Sequence, residues 1–404
     1  MALLEDRSIR SRLLRIASKK CPRQIKRLLK PLVSDFGSAE SSKLSSQRRL
    51  LVIPSDRYAS KESVRIVFTS GCAPRYNGGT KLYNLWVKLL RKNGYEAYIA
   101  TVDGRYDQWL ADHQPVVSYD DVKRFRSLGY DVRIVTAWLN TVGLGKILGN
   151  DPFYYFDAEM KWTLYYRKVL DRFLKRGAIA GIATHSRYIQ GWYMAKYRIK
   201  PILINEWSDT TIFFPAPQLR VPGRVACLAE AREEEEVYQF LRQKCEGSSV
   251  CENVVRIQGG DENYEADTMR TADIFVGLNQ GKHPIWGEGC PRTQQEAMHC
   301  GCVLVAFDVL GNREYLYNGW TGRMIPKADL DELWHTIEHL MNNESEKERL
   351  RANGQNLIKA LFDERGKFEQ ITEFLNLNGA SGDAWGELEH TQGTKHRQSR
   401  TITN

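Results

Sequence analysis

The feature that most restricts how this chain can fold is a strand, a glycine-bearing loop, a helix and a second strand in immediate succession after residue 62. Val64-Arg65-Ile66-Val67-Phe68 is β-branched and aromatic, as a buried strand should be. The loop Gly71 to Thr80 follows and contains Gly78-Gly79. Leu82, Leu85, Trp86, Leu89 and Leu90 then mark one helical face, Asn93-Gly94 stops the helix, and Glu96–Val102 reads as the next strand. A βαβ unit of this kind implies a parallel sheet. Further strands are expected at Asp131–Thr136, Ala180–Thr184 and Pro201–Ile204, with a helix near 158–175. The period restarts at Arg224–Leu228, Val254–Gln258, Asp273–Leu278 and Val303–Phe307, and residues 329–377 read as helical.

Two successive sets of alternating strands and helices predict an α/β chain of two doubly wound domains. The join falls near Asp209–Pro222, where Pro215, Pro217, Pro222 and Gly223 cluster. A length of 404 residues fits two such domains. The division read from the sequence is an arm and linker over 1–49, a first domain over 50–210, a second over 211–362, a returning helix over 363–379 and a disordered tail over 380–404. No uninterrupted run of about 18 apolar residues occurs, so no membrane-spanning helix is expected.

Charge is placed unevenly. Residues 1–50 carry 13 of the 58 Lys+Arg and four of the 49 Asp+Glu, and the remaining 45 basic and 45 acidic residues cancel. The body is neutral, which argues against a nucleic-acid groove along it. Within the arm, residues 8–33 read as two basic amphipathic helices divided by Pro22, a pattern suited to an anionic membrane surface. Ser34 to Ser46 reads as a linker. The eight cysteines, Cys21, Cys72, Cys227, Cys245, Cys251, Cys290, Cys300 and Cys302, show no paired spacing. They are expected to be free thiols in a reducing, cytoplasmic setting. Cys300-Gly301-Cys302 with His299 and His283 lacks the usual zinc spacing, so no metal site is expected.

The most informative stretch runs from Trp286 through Gly287-Glu288-Gly289-Cys290-Pro291-Arg292-Thr293 to Glu296-Ala297-Met298-His299-Cys300-Gly301 and a buried strand. Proline belongs in a first helical turn, where its missing N–H would have no partner. A helix opening near Pro291 therefore points its N-terminus, with free amides and partial positive charge, at the preceding loop. That end is a natural seat for a diphosphate. Glu288 precedes the helix and Glu296 lies about two turns in, too far apart to touch. Two carboxylates at opposite ends of one extended ligand suit hydroxyl recognition.

These residues resemble the retaining GT-B glycosyltransferases of the group 1, family 4 type. The resemblance rests on Glu288, seven residues, then Glu296-Ala297-Met298-x-x-Gly301, with Ala272 to Val276 before and Gly311-x-x-Glu314 after, and it covers roughly residues 62–378. It implies two Rossmann-like domains facing a cleft, and transfer of a sugar from a nucleotide donor such as a UDP- or GDP-sugar to a saccharide or glycolipid acceptor, without a cofactor or metal. Carried over, Glu296 would hold the ribose, Glu288 the transferred sugar, and Cys290, Pro291, Arg292 and Thr293 the sugar and diphosphate. Gly78 and Gly79 would allow close approach to the diphosphate, and Phe368–Leu377 would cross back onto the first domain. One departure stands out: the basic pair usual after the first strand of the second domain is replaced by Glu230-Ala231, and only Arg232 could serve. Arg256, Lys282 or Arg292 would have to compensate.

Two further features admit plainer readings. His185, at a strand end, could face the cleft or be structural, and Asp151 to Asp157 is aromatic enough to stack a sugar but fits packing better. Gly143 to Gly149 misses the dinucleotide spacing. A GT-B epimerase or phosphorylase, and a non-catalytic nucleotide-sugar-binding subunit, are the competing expectations.

Overall fold

The structure, a computed structural model, describes residues 61–70, 78–105, 109–139, 144–149, 151–229, 232–280, 288–361 and 363–377, apart from the side chains of Arg232 and Glu233. The basic arm, the serine-rich linker, the tail, Cys21, Cys72 and His283 lie outside these residues. In chain order the first domain holds β1 (Val64–Thr69), α1 (Gly78–Lys92), β2 (Glu96–Thr101), β3 (Val116–Ser118), α2 (Tyr119–Ser127), β4 (Asp131–Thr136), α3 (Leu144–Leu148), β5 (Phe153–Asp157), α4 (Met160–Tyr165), α5 (Arg167–Lys175), β6 (Ile179–Thr184), α6 (Arg187–Tyr197) and β7 (Ile202–Leu203). Its sheet has the order β3-β2-β1-β4-β5-β6-β7. Every pairing in it is parallel.

The second domain follows a proline-rich connection and holds β8 (Arg224–Leu228), α7 (Arg232–Glu246), β9 (Asn253–Ile257), α8 (Glu262–Thr271), β10 (Ile274–Gly277), α9 (Arg292–Cys300), β11 (Val303–Phe307), β12 (Arg323–Ile325), α10 (Leu330–Asn342) and α11 (Glu344–Leu361). Its sheet, ordered β12-β11-β10-β8-β9, is also wholly parallel. Each sheet reverses its strand order beside its first strand, between β1 and β4 and between β8 and β10. Parallel α/β sheets bind ligands beyond the carboxyl ends of the strands at such a reversal. Both domains thus present the right edge for a cleft.

Apolar strands explain why both sheets are covered on both faces. Val225, Cys227, Ile274, Val276, Val303 and Val305 pack on one side of the second sheet against α7 and α10. Ala226, Phe275, Leu304 and Ala306 face α8 and α9 on the other. In the first domain Ile66 and Phe68 pack under Leu82, Trp86 and Leu90 of α1. The last helix, α12 (Glu364–Phe374), joins that same layer through Phe368, Ile371 and Phe374. The Phe374 ring lies 6.2 Å from Trp86 and 5.5 Å from Tyr154. Arg133 of β4 donates to the Asn376 carbonyl at 2.7 Å and also to that of Leu375. A Cβ on Gly181 would come within 3.0 Å of the Phe374 carbonyl, so β6 has room for α12 because it carries glycine there.

Some expectations need correction. Cys245 and Cys251 are joined in a disulfide, not free. The last turn of α7 and the turn into β9 bring their Cα atoms to 5.2 Å, within bonding range. Cys227, Cys290, Cys300 and Cys302 are free and buried. The aromatic run Phe153–Asp157 is the buried strand β5, and Phe156 packs 4.9 Å from Trp86. The helix expected over 158–175 breaks at Tyr166 into α4 and α5. The short strands β3 and β12, three residues each, carry too little periodicity to read from sequence.

Candidate active site

The site begins at α9. Its N-cap is Pro291, which makes no side-chain cap hydrogen bond, and its first turn holds no acid, so no side chain of the cap or first turn quenches the positive end of the helix dipole. The other end is fixed firmly. Gly301 closes the helix at φ +92°, a left-handed conformation that suits glycine. Arg351 of α11 donates from Nε to the Gly301 carbonyl at 2.7 Å while its guanidinium also pairs with buried Asp273. Lys347 adds a 2.7 Å bond to the same aspartate. Near the start, Tyr315 donates to the Pro291 carbonyl at 2.8 Å. The uncapped end is therefore held in place.

The residue before this turn, Glu288, is half-buried and accepts a 3.0 Å hydrogen bond from Asn279, just beyond β10. Its carboxyl is raised to about 8, chiefly by removal from water and then by the charges of Glu159 and Glu234. Gly289 is wedged between the domains. A Cβ there would overlap the Ala158 carbonyl and His185 Nε2, so only glycine lets the segment pass under the first domain. Gly311 is constrained in the same way against the carbonyls of Glu288 and Gly289. Cys290 is buried with its thiol pushed well up, while Thr293 is half-buried.

His185 lies just past β6 and is buried. Its Nδ1 sits 2.6 Å from Glu206 Oε1, and the other oxygen of Glu206 lies 3.1 Å from Arg292. Arg292 also donates to the Trp207 carbonyl at 2.9 Å. A histidine of the first domain, a connecting acid and the first residue of α9 thus form one chain of contacts. His185 Nε2 is left buried with no hydrogen-bond partner. Glu206 is held below the usual carboxylate range, because the Arg292 and His185 contacts outweigh the cost of its burial.

Glu296 is occupied. Lys81, in the first turns of α1 beside Gly78-Gly79, places its Nζ 2.8 Å from Glu296, 2.8 Å from Glu265 and 3.6 Å from Glu262. All four side chains are buried. Burial pulls the lysine's pKa down, but the three carboxylates, Glu296 foremost, leave it raised, while Glu265 is pushed up to about 7 by burial and by Glu296. Trp109 and Ala111 of the first domain add backbone bonds to Glu262, at 3.0 Å each.

Some expected groupings are present and others are not. Gly78 and Gly79 open α1 at the carboxyl edge of the first sheet, and a Cβ on Gly78 would meet open space. Arg232 begins α7, with its side chain outside the described residues. Arg256 is committed elsewhere, donating to the Ala229 carbonyl at 2.6 Å and to Glu235 at 2.7 Å. Arg292 is committed to Glu206 and Trp207, and Lys282 lies outside the described residues. His299 is buried and lowered to about 4, first by desolvation and then by Lys359. The thiols of Cys300 and Cys302 face the carbonyls of Ala266 and Met269. Among the described residues no group of three His, Cys, Asp or Glu side chains is arranged to hold a metal ion. Lys81, Glu206, Glu262 and Glu265 were not singled out from the sequence. None of them carries a local signature, since their partners lie far away in sequence.

Residues 217–357 match the family model of glycosyl transferases, group 1. The fold is shared with solved structures at low identity. Sucrose-phosphate synthase from Thermosynechococcus elongatus aligns at TM-score 0.60 and 15% identity over 78% of this chain and 99% of that one. The Anabaena protein HepE, in complex with UDP-glucose, aligns at 0.60 and 14% over 77% and 99%. A glycosyltransferase from Rickettsia africae aligns at 0.56 and 12% over 78% and 99%. No curated protein sequence matches the chain. The architecture is that of GT-B glycosyltransferases.

Proposed function

We propose that this chain is a group 1 glycosyltransferase that moves a sugar from a nucleotide-sugar donor, such as a UDP- or GDP-sugar, to an acceptor hydroxyl with retention of configuration. The observation that carries the reading is the uncapped start of α9, held at the carboxyl edge of the second sheet, with Glu288 just before it and Glu296 two turns inside. In this reading the N–H groups of Cys290, Arg292 and Thr293, around Pro291, receive the diphosphate and Gly78 and Gly79 approach it from the other side. Glu296 takes the ribose hydroxyls and Glu288 those of the transferred sugar. Arg232 is assigned to the leaving group, and His185 to the donor phosphate or the acceptor.

In the transfer, the bond between the anomeric carbon and the donor phosphate oxygen breaks and a bond to the acceptor oxygen forms on the same face. The acceptor's proton passes to the departing diphosphate. The protein's task is then to stabilise that leaving group and exclude water. No resident cofactor enters this scheme. Glu206 fixes the orientation of His185 through Nδ1, which leaves Nε2 buried beside Gly289. The acceptor class we assign is a saccharide or glycolipid, in polysaccharide or glycolipid assembly, with residues 8–33 resting on an anionic membrane surface. The expectation of a cytoplasmic location drew on unpaired thiols, and the Cys245–Cys251 bond removes that support.

A non-catalytic nucleotide-sugar-binding subunit is the second reading, favoured by the engagement of Arg256 with Ala229 and Glu235. Thermal-shift measurements against a panel of nucleotides and nucleotide sugars test both. A ligand at 100 times its Kd stabilises by about 2.7 kcal/mol. A clear shift in the wild type that is lost in Glu296→Ala supports the assignment; an undiminished shift in that variant removes it. Binding without release of nucleotide diphosphate over a broad acceptor set would favour the second reading.

A further inference from the structure

Neither oxygen of the Glu296 carboxylate can be reached from solvent. Oε1 is bonded to Lys81 at 2.8 Å, and Oε2 is buried without a hydrogen-bond partner. A ribose hydroxyl is about as large as the water molecule that this space excludes. The cation that fills the space comes from the opposite domain, 215 residues away in sequence, and lies 4.7 Å from the Phe213 ring and 5.5 Å from that of Trp109. The Glu262 N–H donates to the Trp109 carbonyl and the Ala111 N–H to the Glu262 carboxylate, which closes the same region from one side. Ligand and lysine therefore compete for one carboxylate.

We propose that Lys81 sets donor affinity by acting as the internal occupant of the ribose seat, latching the two domains shut through Glu296, Glu265 and Glu262 until a nucleotide displaces it. This rests on the assignment of Glu296 to the ribose. Three ionised carboxylates sharing that buried space without a cation would be strongly destabilised. Withdrawal of Lys81 must therefore accompany parting of the domains, which returns the acids to water. A binding-competent state populated in only a fraction of molecules weakens apparent affinity by that fraction. A latch closed in about nine molecules of ten thus costs about tenfold in Kd.

The test is calorimetric titration of the full chain with UDP, GDP, ADP, CDP and dTDP, in the wild type and in Lys81→Met, Lys81→Arg and Glu265→Gln. For whichever nucleotide binds, Lys81→Met should bind about tenfold more tightly and Lys81→Arg as the wild type does. Glu265→Gln loosens the latch without touching Glu296, so it should also tighten binding and keeps the test open should Lys81→Met fail to fold. Small-angle scattering of unliganded Lys81→Met should give a larger radius of gyration than the wild type. Nucleotide binding by the wild type that is unchanged or weakened in both Lys81→Met and Glu265→Gln would overturn the latch while leaving the donor site intact. Absence of binding in the folded wild type and in both loosened variants would instead overturn the donor-site reading itself, and the latch with it.

Discussion

Glu288 is where a single ionisable group most changes the behaviour of the site. Its folded-state pKa is raised to about 8, whereas a carboxyl in the unfolded chain titrates near 4.3. Between those values the folded protein holds a proton that the unfolded chain has released, so stability falls as pH rises. Glu288→Gln cannot titrate. Its stability should therefore gain on the wild type's between pH 5 and pH 8, by about 1–3 kcal/mol once partial exposure is discounted. Melting curves at the two pH values check this, and a constant difference would mean that Glu288 titrates as an ordinary acid. Glu288, His185 and the run Cys290 to Thr293 stood out as candidates in the sequence because a helix start or a strand end marks them locally. Lys81 and Glu206 could not. Lys81 meets Glu265 and Glu296 across 184 and 215 residues, and nothing in the composition of α1 distinguishes a lysine that crosses a cleft from one that faces water.

For the elements, α9 matters most, because its uncapped start is a local property that one substitution can cancel. Thr293→Asp would place a carboxylate in a first turn that has none. An acid there favours the helix by about 0.3–1 kcal/mol, so the variant should melt no lower than the wild type. The same charge would repel a diphosphate, and nucleotide affinity should drop more than tenfold; a variant that binds as well as the wild type would show that the diphosphate sits elsewhere. Long apolar strands such as β1, β4, β8 and β11 were legible because parallel sheets bury both faces. β5 is aromatic enough to suggest packing, but five residues do not separate strand from loop. The turn over residues 246–252 gave no sign that it would bring Cys245 and Cys251 together.

For the molecule as a whole, the two-domain architecture followed from the recurrence of the βα period, while the way the domains meet did not. Glu314 of the second domain accepts from the backbone N–H of Arg187 at 2.7 Å, at the first residue of α6, and from Asn205 at 3.3 Å. Lys88 of α1 reaches Asp209 at 2.9 Å. Such pairs depend on side chains far apart in sequence. The basic arm belongs to this scale as well. Deleting residues 1–49 should abolish salt-sensitive sedimentation with anionic vesicles and leave the melting curve of the body intact; retained sedimentation would assign membrane affinity to another surface.

The return of α12 to the first domain makes that domain discontinuous in sequence, with the second domain inserted between β7 and α12. The chain crosses the boundary twice, so any swing of one lobe must turn about the line through both crossings, as a door turns on two hinges. Twisting about other axes would strain one strand against the other. A fragment ending before residue 364 would strip Trp86 and Tyr154 of their cover, so the first lobe is not an independent piece that can be cut free at the linker.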